Sequence, residues 1–93
     1  AGIAAYWLGY YHFRRNEFAE ARRHWDAYLQ RTEALLQRAP DDPRWLLERS
    51  YALNNLGTLA NKQGRIEDTI ARFRASAALK TRVLDTRPDD LDL

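Results

Sequence analysis

Apolar residues recur along this chain at steps of three and four. Phe18, Ala21, Trp25, Tyr28, Leu29, Thr32, Leu35 and Leu36 form one such stripe, which predicts a helix from about 17 to 38. Trp45, Leu46, Leu53, Leu56, Leu59 and Ala60 predict another over 43–62. Ile66, Ile70, Phe73, Ala77, Val83 and Leu84 predict a third, running to about 86. Residues 2–15 contain nothing that stops a helix, although Gly9 costs about 1 kcal/mol relative to alanine there. The sequence has no sustained period-two alternation, so no strand is predicted.

The breaks between these stripes have their own chemistry. Asn16 reads as a turn and an N-cap, with Glu17 and Glu20 placed to favour the dipole of the following helix. Ala39-Pro40 stops that helix, because a residue before proline avoids helical backbone angles. Asp42 is an N-cap and Pro43 suits the first helical position, where no N–H is needed. Gln63-Gly64 breaks the helix predicted over 43–62, with Gly64 as a left-handed cap. Pro88 is expected to stop the helix that runs to about 86.

A shift of 48 residues brings these landmarks into register. Leu8-Gly9 falls on Leu56-Gly57, Asn16 on Gly64, Trp25 on Phe73, and Pro40-Asp41-Asp42 on Pro88-Asp89-Asp90. A mid-helix glycine followed 16 residues later by a large aromatic, in both copies, points to close packing against the return helix. Short loops imply antiparallel helix hairpins, and equal internal spacing implies stacking by a repeated rotation. The expected fold is therefore all-α: two stacked antiparallel hairpins, a short α-solenoid segment in one domain over 1–93. Unit 1 covers about 1–39 and unit 2 about 42–87, with 88–93 starting a further unit or forming a tail. The register suggests an excerpt of a longer array. Two units without a polar capping helix would leave apolar flanks on 3–13 and 66–86, through which copies of the chain would self-associate.

Composition narrows the function. With 93 residues and no cysteine, the chain has one small core and no disulfide or thiolate chemistry. Its apolar runs are far shorter than the roughly 18 residues a membrane span requires. The formal charge is +2, from 15 basic and 13 acidic residues spread evenly along the chain. A cytoplasmic setting is the expectation.

The candidate chemistry is sparse. There are two histidines, His12 and His24, and two serines, Ser50 and Ser76, with no phosphate loop or nucleophile elbow. Glu20 and His24 share a helix face, yet zinc requires three or four ligands, and only Asp26 is near in sequence, on another face. They read as a surface ion pair, and no metal, cofactor or catalytic residue is expected. Arg14-Arg15 and Arg22-Arg23 could meet phosphates, which makes an RNA-binding repeat the alternative reading. Glu17, Glu20 and Asp26 lie among those arginines and weigh against it.

Leu53, Asn55-Leu56-Gly57, Lys62-Gln63-Gly64, Ile66 and Phe73, with Leu8-Gly9, Asn16, Phe18, Ala21 and Trp25, give the chain its resemblance to the tetratricopeptide repeat family. It departs from that pattern in Thr69, where alanine is usual, and in Tyr28, larger than the usual small residue. The period also exceeds the common one of about 34; the long helices resemble the bacterial and kinesin-light-chain-type variants. The resemblance implies a non-catalytic protein–protein interaction scaffold that holds a peptide or partner helix on its concave face. It places Ile3, Tyr6, Tyr10, Phe13 and Arg14 inward in the first unit, and Tyr51, Asn54, Thr58, Asn61 and Lys62 in the second. Tyrosines offer ring area with a polar tip, asparagines can bond a peptide backbone, and Arg14 and Lys62 could meet a carboxylate. The residue set of chaperone-tail carboxylate clamps is not recognisable here, so the resemblance names no particular partner.

Overall fold

The computed structural model describes residues 2–86. The expectations that Pro88 stops a helix and that 88–93 begin a further unit fall outside the described residues. Four helices follow one another: α1 (Gly2–Arg14), α2 (Phe18–Arg38), α3 (Pro43–Lys62) and α4 (Ile66–Thr86). Among the described residues there is no strand. Each helix packs against the next, giving two stacked hairpins, α1–α2 and α3–α4, joined through an α2–α3 seam.

The two hairpin turns are copies of each other. Gly64 has a φ of 75°, and the amide of Arg65 reaches back to the Ala60 carbonyl at 2.9 Å. At the equivalent place Asn16 has a φ of 61°, and the amide of Glu17 reaches the His12 carbonyl at 2.9 Å. Both turns add the inner bond, from Gly64 to Asn61 and from Asn16 to Phe13. This is the Schellman closure of a helix C-terminus. It corrects the reading of Asn16 as an N-cap. Asn16 closes α1, because asparagine tolerates left-handed angles better than other non-glycine residues. The N-cap of α2 is Glu17, which makes no side-chain capping bond. At α3 the expectation stands: Asp42 caps by accepting from the Arg44 amide at 3.0 Å, and Pro43 takes the first helical position.

The glycine–aromatic pairs form the centre of each hairpin. A Cβ on Gly9 would lie 2.1 Å from Trp25 Nε1, and one on Gly57 would lie 2.7 Å from Phe73. Trp25 is fully buried and donates its indole N–H to the Tyr6 carbonyl at 3.1 Å. Phe73 remains 38% exposed. The core runs on through Tyr28, Leu29, Leu46, Leu53, Leu56, Leu59, Leu79 and Val83. Some of the polar side chains inside it bond to backbone carbonyls, while Asn55 Nδ2 has no hydrogen-bond partner among the described residues. Ser76 donates to the Ser50 carbonyl at 2.8 Å, and Thr69, the departure from alanine, donates to the Arg65 carbonyl at 2.8 Å. Apolar side chains stay exposed on the outer helices: Ile3, Trp7 and Tyr11 on α1, and Ile66, Ile70 and Leu84 on α4.

Candidate functional site

The aromatic residues of α1 form a chain of edge-to-face contacts. Tyr6 meets Trp7, Tyr10 and Tyr28 with ring centroids 5.1, 5.2 and 5.8 Å away. Tyr10 in turn meets Trp25 at 5.2 Å, and its hydroxyl donates to Asn55 Oδ1 on α3 at 3.4 Å. Such contacts fix ring positions by quadrupole geometry as well as by burial.

Between α1 and α3 this scaffold leaves an open hollow of about 250 Å³, lined by Ile3, Tyr6, Trp7, Tyr28, Glu48 and Tyr51. A second hollow of about 290 Å³ shares Ile3, Tyr28 and Glu48 with it and continues to Arg31, Leu35 and Trp45. Together they make one groove. Among the described residues of both linings, Glu48 is the only carboxylate, and it accepts from the Tyr28 hydroxyl at 2.5 Å. Burial, then the bond to this carboxylate, push the Tyr28 phenol well above its ordinary value. Burial and the neighbouring Tyr10 raise Tyr6 in the same direction. Both phenols therefore keep their protons at neutral pH, and Tyr28 donates its own to Glu48.

The profile of the tetratricopeptide repeat matches residues 8–44 and 50–92. The chain belongs to the tetratricopeptide repeat family. No curated protein and no solved structure matches it. Tetratricopeptide repeats in general mediate protein–protein interaction and serve as non-catalytic scaffolds. Among the described residues, no helix is long and apolar enough to cross a membrane.

Within these tetratricopeptide hairpins the residues predicted to face a partner separate into groups. Tyr6 and Tyr51 meet in the groove, and Tyr51 is 40% exposed. Tyr10 and Phe13 are half-buried against the core; Phe13 packs between Phe18 and Trp25, with centroids 5.9 and 5.6 Å away. Arg14 lines a separate hollow with Trp7, Tyr10, Tyr11 and Arg15. Asn54 and Thr58 are half-buried further along α3, where Thr58 donates to the Asn54 carbonyl at 3.0 Å. Asn61 and Lys62 are exposed in the last turn of α3. Sequence reasoning missed Trp7, Tyr28 and Glu48 as groove residues. Glu48 had a usable signal, since it precedes Tyr51 by three positions and so shares its helix face.

Proposed function

We propose that this tetratricopeptide chain is a non-catalytic scaffold that holds a peptide or partner helix in the groove between α1 and α3. The observation that carries the reading is the gathering of half-buried Tyr6 and exposed Trp7 and Tyr51 around Glu48. Tyrosine and tryptophan dominate binding hot spots because they bury much area at small entropic cost. Charge pairing favours a protein over RNA. Of the candidate phosphate contacts Arg14, Arg15, Arg22 and Arg23, the last three are engaged by Glu17, Asp26 and Glu20. Among the described residues this interspersed pairing differs from the segregated basic stripe of a nucleic-acid binder. The exposed apolar flanks of α1 and α4 support stacking of a further helix at either end, a second copy of the chain included.

The test begins with a phage-displayed random peptide library selected against the chain. Tyr51→Ala is expected to weaken a selected peptide about 10- to 30-fold, the scale of a central aromatic contact, with helicity unchanged. Binding should vary little with salt. A peptide indifferent to both Tyr51→Ala and Trp7→Ala would remove the groove reading. Tight binding of poly(U) that collapses steeply as salt rises would establish the RNA alternative instead.

A further inference from the structure

The Schellman turn after α1 brings together side chains far apart in the helical pattern. His12 lies in the last turn of α1, and Glu20 and His24 lie one turn apart on α2. One nitrogen or oxygen atom from each stands within 4.8 Å of the others, and all three residues are half-buried. The two imidazoles are stacked, with centroids 5.3 Å apart and planes within 5° of parallel. We propose that His12, Glu20 and His24 form a zinc-binding site that clasps α1 to α2.

Two histidines and one carboxylate are a donor set suited to zinc, with water completing a tetrahedron. Zinc bonds of 2.0–2.1 Å place tetrahedral ligand atoms about 3.3 Å apart. Three partly exposed side chains therefore close the remaining distance by rotation, without moving either helix. The outer partner of His12 is already in place. Its Nδ1 lies 3.0 Å from Glu17 Oε1, which orients the ring and leaves Nε2 for the ion. Glu20 Oε2 accepts from Arg23 at 2.6 Å in an exposed pair, leaving Oε1 for the ion. The ligands sit on both sides of the hairpin turn, so they converge only in the folded chain, and bound zinc stabilises that fold. The sequence alone offered Glu20 and His24 without a third ligand; the turn supplies His12 from eight residues upstream.

The site is tested with zinc chloride added to the whole chain, by calorimetric titration and thermal melting, with magnesium and calcium chloride as controls. One zinc per chain and a raised melting temperature are expected, with no response to the two oxygen-preferring ions. His24→Ala and Glu20→Gln should each weaken zinc at least tenfold. Glu17→Gln, which removes the carboxylate shared by the outer nitrogen of His12 and by Arg15, should cost roughly tenfold or more. Glu20→Gln alters an exposed ion pair and keeps the test valid if His24→Ala folds poorly. The proposal is overturned by an absence of zinc binding, by zinc binding that survives both ligand changes, by an equal response to magnesium, or by one zinc per two chains, which would mark a bridge between copies.

Discussion

Replacing Gly9 by alanine is expected to destabilise the fold by about 2–3 kcal/mol, while the same change at Gly57 stays within about 1 kcal/mol of the parent. In both helices alanine gains about 1 kcal/mol of intrinsic helix preference over glycine. What differs is the neighbour. At Gly9 the new methyl group would sit 2.1 to 2.5 Å from three atoms of the Trp25 indole. That indole is fully buried, bonded to the Tyr6 carbonyl and flanked by Tyr10 and Phe13. It cannot turn away without opening the first hairpin, so the overpacking cost exceeds the helical gain. At Gly57 the methyl would meet the edge of Phe73, whose exposed ring can swing toward solvent. Urea unfolding of the two variants measures the difference as a shift of midpoint at constant slope. Equal losses would mean that the two glycine sockets are equally rigid.

Tyr28→Ala should cost about 3–5 kcal/mol, and Tyr28→Phe about 1.5–3 kcal/mol. Tyr28 is only 3% exposed and stands where α1, α2 and α3 meet, with its ring on Tyr6 and its hydroxyl on Glu48. The alanine change leaves a cavity in this junction; the phenylalanine change leaves Glu48 without its buried donor. Against a total stability of about 5–15 kcal/mol for a small domain, the first loss is large. The phenol also links stability to alkaline pH. Its pKa in the fold lies above the unfolded value of about 10, so its stabilisation is complete below pH 10 and is lost as pH rises toward the folded value. From pH 10 to 12 the parent should lose stability more steeply than Tyr28→Phe, by up to about 1.4 kcal/mol per pH unit. Parallel curves for the two proteins would remove the link.

Much of this fold was legible because its punctuation is chemical. Pro43 and Asp42 start α3, Gly64 ends it, and Ala39-Pro40 ends α2, each by a local rule that tertiary context did not override. Asn16 was read rightly as a turn and wrongly as an N-cap, because asparagine serves in both places; its alignment with Gly64 favoured the turn. The candidate site was legible by face but not by depth. The resemblance assigned Tyr6 and Tyr10 to the inner face of α1, yet nothing in it said that Phe13 would be taken up by Phe18 and Trp25. Nor could periodicity within one helix reveal that Tyr28, oversized for its position, would reach Glu48 on the next hairpin.

The helices are unequal in what they bury, and this sets an order of opening. α3 has nine buried residues among its 20 and lies between α2 and α4. In α1, Gly9 is the only buried residue from 3 to 14. Local opening follows the density of buried contacts, so α1 is the segment that detaches at the lowest free energy and α3 the one that persists to global unfolding. One wall of the groove is therefore an anchored surface and the other a hinged leaf. A segment lying between Tyr51 and Tyr6 would contact both at once, and its arrival would hold the leaf shut. Slowed exchange of the α1 amides would then accompany occupancy, even where α1 itself makes few of the contacts.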